Sequence, residues 1–501
     1  MNFAHYLLEN TGEMTANFVL GSRCHLTYQD LNHKVNALAS YLHGRFGCGH
    51  EIVLNADNST FFIIAYLGII RSGNTAVVIE TRISDAHLND ILCRCSISAI
   101  LVQNRYRQRF EDSREILSES FLESLPAEFS PPDTESDDDD TAVILFTSGS
   151  TGQKKGVMLS HKNLRANTES IIECLELTAA DRIYAVLPFS YTFGTSLLNT
   201  HLRVGGSVAL GNPIFLGSIL NELNAYECTG FAGVPSTFQI LINKTDFLQR
   251  SFPALRYFQQ AGGHLADKFK LMIAEAFTDK QFYTMYGLTE ATARCSYLPP
   301  HLLREKPGSI GRGIPGVRLE VIKPDGTLAQ PHEAGEITVV GANVMKGYYK
   351  DPEATREKIR DGRLYTGDIA TVDEEGYVYY LERRSSIIKS GGFRISPKEV
   401  EGVINRIKGV SLGIVMGITD ELLGESVGAV VRPENGSNRA LYEMILQGCG
   451  QELPSYKIPR KVLFLDEFPL NSSLKYDMER LKHLLESNEG EQGKNLFMQK
   501  A

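Results

Sequence analysis

The chain has 501 residues, room for a large core and for more than one domain. Its net charge is -9 with histidines neutral, which leaves no basic footprint for nucleic acid or for an anionic membrane surface. The eight cysteines lie apart without a CxxC pair or zinc spacing, which argues against a disulfide framework and a structural zinc site.

Taken in order, residues 1–14 lack a charged leader followed by a long apolar run, so no signal peptide and a cytoplasmic protein are expected. Residues 26–42 place apolar side chains at helical spacing behind a Thr27 cap, which predicts an amphipathic helix. The apolar run 61–70 is too short to span a bilayer and reads as a buried helix, so no transmembrane segment is expected. An Arg-Ser-Gly turn and a strand at 75–79 follow. This alternation favours a parallel sheet with helices on both faces. Cys93 and Cys95 read as reduced structural thiols. Residues 131–140, two prolines and then a run of aspartates, read as a solvated, mobile linker rather than a metal site.

An apolar strand at 142–146 then empties into TSGSTGQKKG, residues 147–156, ahead of a helix expected to start near Ser160. Gly149 and Gly152 let backbone N–H groups turn toward an anion. Thr147, Ser148, Ser150 and Thr151 add hydroxyl donors, and Lys154 and Lys155 add charge. The spacing is not the P-loop pattern, because the lysines come late and no Ser or Thr follows them. Downstream, strands are predicted at 183–187, 207–210 and 230–234, with helical stretches around Leu197 and Phe238. Residues 308–340 switch to short strands and turns, including KPDGT at 323–327. The chain turns mixed α+β from about Ser386, and 486–501 reads as a flexible tail.

By itself a Gly/Ser/Thr loop after a strand is only a loop. Its seven-residue order resembles the phosphate loop of the AMP-forming adenylating enzymes: acyl- and aryl-CoA synthetases, carrier-protein adenylation domains and luciferases. Four further stretches agree: YGLTE at 286–290, YTGD at 365–368, RRSSIIKSGGFR at 383–394 and FPLNSSLKYD at 468–477. GEITVVGANVMKGYY at 335–349 with DPEAT at 351–355 resembles another block, whose glycines shape the backbone. The resemblance runs from about residue 26 to 477.

It implies an α/β protein. A large N-terminal domain of layered α/β subdomains with a small β-rich subdomain, 1–384, precedes a small mobile α+β C-terminal domain, 385–485. It implies ATP, Mg²⁺ and a thiol acceptor, either CoA or the phosphopantetheine of a separate acyl carrier protein. Tyr286 and Gly287 would meet adenine, Thr289 the α-phosphate, Glu290 the metal, and Asp368 the ribose hydroxyls, with Arg383 on ribose or phosphate. Ser385 would be the hinge, Gly391 and Gly392 the thiol tunnel, and Lys475 the catalytic lysine. Asp368 on its own is equally an Asx turn. Departures stand at Thr284, where the family often has Asn, at Glu382, Ser385 and Ser386, and at Leu474, where a glycine is usual.

LPFSYTFG at 187–194 resembles the segment in which an aromatic or His gates the substrate carboxylate; here that residue is Tyr191. Amino-acid-activating members carry Asp next, whereas this chain has Thr192, which disfavours an α-amino acid because a buried ammonium needs a partner. QAGGH at 260–264 is expected to line the same pocket through Gly262 and Gly263, with His264 either a pocket wall or a satisfied structural histidine. The expected reaction is adenylation of a small-molecule carboxylic acid, a fatty acid among the classes, followed by thioester formation. The alternatives are a carrier-loading amino-acid adenylation enzyme and a non-catalytic nucleotide- or acyl-binding protein.

Overall fold

The computed structural model describes residues 1–12, 14–21, 25–110, 115–126, 129, 132, 134, 136–147, 154–211, 216–434, 436, 439–487 and 496–498. The chain forms two compact units. The larger comprises Met1–Glu320, Thr338–Thr366 and Glu374–Val378, and the smaller Val321–Ile337, Gly367–Asp373 and Tyr379–Ala501.

The larger unit holds two sheets. In the seven-stranded one, Glu51–Asn55, Thr75–Val78, Ile97–Val102, Glu115–Leu117 and Thr141–Thr147 run parallel, and Lys155–Ser160 adds an antiparallel strand beside Thr141–Thr147. In the nine-stranded one, Asn17–Leu20, Ser207–Leu210, Arg182–Ala185, Gly230–Gly233, Tyr257–Gln260 and Gln281–Tyr286 form the parallel core. The expected helices are present: Tyr28–Phe46, whose cap Thr27 accepts from the Asp30 N–H, and Thr60–Arg71, in which Phe61 through Ile70 are all buried. No helix among the described residues is long and apolar enough to cross a membrane.

A buried polar chain ties this core. The Tyr28 hydroxyl donates to Gly206 O at 2.7 Å, and the fully buried His201 ring lies 2.9 Å from Leu197 O through Nδ1 and 3.3 Å from the Tyr257 hydroxyl through Nε2. Burial lowers the pKa of His201 to about 4, so the ring is neutral near pH 7.

Asp137, Asp139 and Asp140 are exposed, as expected of the acidic run, but Asp138 is tied down. Asp138 pairs with Arg165 at 2.6 Å and with the Met1 ammonium at 2.8 Å. The carbonyls of Asp138 and Asp140 accept the N–H groups of Lys162 and His161, at the start of helix His161–Leu175. Like charges repel, but two cations and otherwise orphaned helix N–H groups hold them here.

Between residues 317 and 383 the chain runs as strands Val317–Ile322, Gly335–Gly341, Arg363–Val372 and Val378–Arg383, and this β-rich segment contributes to both units. The predicted 323–327 turn is present: the Asp325 carboxylate accepts the Thr327 N–H at 3.0 Å, and Gly326 takes φ +84°. In the smaller unit a six-stranded sheet pairs Val410–Asp420 with Gly424–Pro433 and helix Pro397–Ile404 packs on it. Within the stretch read as a flexible tail, Leu496–Met498 adds an antiparallel edge strand to Lys461–Phe464.

Candidate active site

Ser148, Gly149, Ser150, Thr151 and Gly152 lie outside the described residues, but both ends of their loop are placed. Thr147 closes its strand and Lys155 opens the returning one, and these two flanking strands pair antiparallel. The helix comes only after this strand, with Ser160 and Asn163 forming a reciprocal capping box. The helix start expected near Ser160 is observed, and the strand ahead of it is the element not foreseen. Val157 and Leu159 are buried on the returning strand, and that burial holds 155–160 extended.

Two carboxylates organise the lysines. Lys154 Nζ stands 3.0 Å from Glu80 Oε1, both side chains being 15% exposed, and the Tyr191 hydroxyl donates to Glu80 Oε2. Lys155 lies 4.0 Å from Asp351 and 5.1 Å from the Tyr348 ring centre, and the Tyr348 hydroxyl donates to Glu290 at 2.8 Å. Tyr348 arrives because Gly347–Tyr348 pairs with Val157–Met158. Gly347 does shape this backbone: its φ is +150°, and an added Cβ would sit 2.7 Å from the Thr355 side chain. Neither Glu80 nor Tyr348 was singled out from sequence. Tyr348 lay inside a quoted block, whereas Glu80 merely follows a strand.

Tyr286 ends strand Gln281–Tyr286, and Thr289 with Glu290 opens the 3₁₀ turn Thr289–Ala291. Gly287 between them admits no side chain, since a Cβ would lie 1.7 Å from Ala293 O. Thr284 is buried, and its hydroxyl has no hydrogen-bond partner among the described residues. Thr192 opens helix Thr192–Arg203, and Asn58 holds the segment ahead of it by donating to Leu187 O and accepting from the Phe189 N–H, each at 2.8 Å. Gly262 takes φ +82°, Gln260 donates to Gly263 O at 2.9 Å, and His264 is exposed.

In the smaller unit, buried Asp368 meets Arg383 at 3.1 Å. Arg384 pairs with Glu336 at 2.8 Å, and Glu336 also accepts the Gly367 N–H at 2.8 Å; Asp368 itself lies on strand Arg363–Val372, not on the turn expected of it. Ser385 falls in the 3₁₀ turn Arg384–Ser386. Gly391 and Gly392, at φ +54° and +88°, make a two-residue hairpin turn that suits glycine at both positions.

Lys475 sits on a tight turn. Asn471 Oδ1 accepts from the N–H groups of Ser473 and Lys475, Asp477 N–H donates to Pro469 O, and Asp477 caps helix Met478–Glu486. Leu474, where a glycine was expected, adopts φ +62°. Desolvation, with repulsion by Arg383 second, holds the Lys475 ammonium below the usual lysine range, although the residue keeps exposed surface.

The AMP-binding enzyme model matches residues 8–349. The chain belongs to the AMP-binding enzyme family. The family's C-terminal domain model matches 399–475. Among similar proteins, a 2-succinylbenzoate–CoA ligase of Geobacillus sp. is 32% identical over 445 residues, covering 88% of this chain and 89% of its own. A feruloyl-CoA synthase of Amycolatopsis sp. is 31% identical over 460 residues, with 89% and 91% covered. The o-succinylbenzoate CoA synthetase of Bacillus subtilis, solved with its acyl-adenylate intermediate, superposes with a TM-score of 0.85 at 26% identity, covering 96% and 98%. That enzyme has also been solved with ATP and magnesium ion. The chain is an AMP-forming acid–thiol ligase: it activates a carboxylic acid with ATP to an acyl-adenylate, releasing pyrophosphate, and then forms a thioester.

Proposed function

We propose that the substrate is an acyl or aryl carboxylic acid without an α-ammonium group and that the acceptor is CoA. The observation that carries the first part is the surroundings of Tyr191. The next residue, Thr192, brings no charge, and the carboxylate that does reach Tyr191, Glu80, is already paired with Lys154. Among the described residues a substrate ammonium would meet there a carboxylate already engaged by a lysine, and an unpaired buried cation is costly. The CoA ligases among the relatives support the second part.

The residues follow from the chemistry. A carboxylate has no good leaving group until AMP is attached, and the attachment is catalysed by positioning and charge neutralisation at phosphorus. Lys154, Lys155 and the hydroxyls of the 147–152 loop are assigned to the β- and γ-phosphates, Tyr286 to adenine, Asp368 to the ribose and Lys475 to the carboxylate and α-phosphate. Glu290 fits Mg²⁺, a hard cation that takes oxygen ligands, and the Tyr348 hydroxyl fixes the orientation of that carboxylate. When bound, the ion neutralises polyphosphate charge. Rotation about Ser385 is assigned to withdrawing Lys475 and to bringing the loop at Gly391 and Gly392 to the thiol.

The test is ATP–pyrophosphate exchange over fatty acids of several lengths, aryl acids and amino acids, repeated as AMP release with CoA. Exchange with an unsubstituted acid and CoA-stimulated AMP release is expected. Exchange only with an amino acid, or no stimulation by CoA, makes the enzyme a carrier-loading one and overturns the proposal.

A further inference from the structure

Glu80 has no place in the assignments above, yet it binds two residues that do. One carboxylate oxygen takes the ammonium of Lys154, at the end of the phosphate loop, and the other takes the hydroxyl of Tyr191, ahead of helix Thr192–Arg203. The group is anchored from below. Fully buried Asn55 donates to the carbonyls of Ile79 and Glu80 at 3.0 and 3.2 Å, and Arg94 donates to Lys154 O at 2.9 Å. The carboxylate is thus held between two loops whose backbones are fixed independently.

A lysine that is paired and largely buried has little net charge to offer. Polyphosphate must either draw Lys154 off Glu80 or settle beside a carboxylate a few ångströms away, and both are unfavourable in a partly dry site. Once Lys154 turns to phosphate, its ammonium no longer competes for the carboxylate of Glu80, and the charge-assisted hydrogen bond from the Tyr191 hydroxyl strengthens.

We propose that Glu80 is a positioning residue that competes with ATP for Lys154 and, when ATP wins, fixes Tyr191 for the incoming acid. It makes acid binding depend on nucleotide binding. The proposal rests on the assignment of Lys154 to polyphosphate, and the test separates the two.

Affinity for a non-hydrolysable ATP analogue with Mg²⁺ is measured for the parent enzyme, Glu80→Gln, Lys154→Met and the double variant, alongside KM for the acid. Lys154→Met weakens the analogue about tenfold or more, and Glu80→Gln tightens it about three- to tenfold, the scale of one ion pair. The gain disappears in the double variant. Glu80→Gln raises the acid KM while lowering that for ATP, a split that mere loss of packing would not produce. Glu80→Asp keeps the charge but shortens the reach, and it gives part of both effects should the glutamine variant fold poorly. Unchanged analogue affinity in Lys154→Met overturns the phosphate assignment. A weakened Lys154→Met together with unchanged or weakened affinity in the Glu80 variants overturns the competition alone.

Discussion

Lys154 and Lys475 are both cations assigned to the same reaction, and they are held in opposite ways. Lys154 is neutralised by a carboxylate, and its carbonyl accepts from Arg94 at 2.9 Å. Lys475 has no carboxylate among its contacts in the described residues; a backbone turn presents it, and a second cation, Arg383, repels it. The difference teaches that a phosphate-holding charge can be stored in a pair and released on demand. Lys475, the cation proposed to meet the reacting atoms, has no carboxylate partner among the described residues and is positioned by a hydrogen-bonded backbone turn instead.

The sharpest test of that contrast is Lys475→Ala. Adenylate formation, followed as pyrophosphate release, is expected to fall by about 10²–10³, whereas thioester formation from a supplied acyl-adenylate is kept. Equal loss of both half-reactions would break the contrast.

Next is acidification. His201 and His161 are buried in the larger unit, and burial lowers each pKa to about 4. The folded rings stay neutral while unfolded ones take up a proton below about 6.5, so the stabilisation is complete above that pH and lost as pH falls toward 4. Each ring is expected to contribute about 3 kcal/mol over that window. Hydrogen exchange followed unit by unit should show the larger unit loosening first, and His201→Asn should flatten its pH dependence.

Smaller again is Tyr348→Phe, which removes the donor to Glu290; KM for Mg²⁺–ATP is expected to rise about tenfold with the acid KM unchanged. The smallest effect is Leu474→Gly. A left-handed backbone costs a branched residue about 1–2 kcal/mol, and glycine returns roughly half of that as unfolded-chain entropy. Denaturation of the smaller unit should shift by up to about 1 kcal/mol toward stability, and a destabilised variant would show that the turn does not strain Leu474.

How far the sequence could be read follows from the kind of signal. Periodicity gave the Thr27-capped helix and the buried helix after Thr60 within a few residues, because the same apolar spacing that marks them buries them. It did not give the strand Lys155–Ser160, since the loop's lysines and glycine mask the start of an extended segment whose partner is the strand before it. The ion pairs of Asp138 within the acidic run were not foreseen because its cations, the Met1 ammonium and Arg165, lie far away in sequence. Among site residues, those inside ordered motifs were named. Glu80 was not, because a lone carboxylate after a strand gains meaning only from two loops brought to it by folding.

The edge strand Leu496–Met498 bears on handling of the protein. It covers one side of Lys461–Phe464, a row of backbone donors and acceptors that would otherwise be a template for another chain. Shortening the chain before Leu496 is expected to leave that row bare and to promote self-association in concentrated solution.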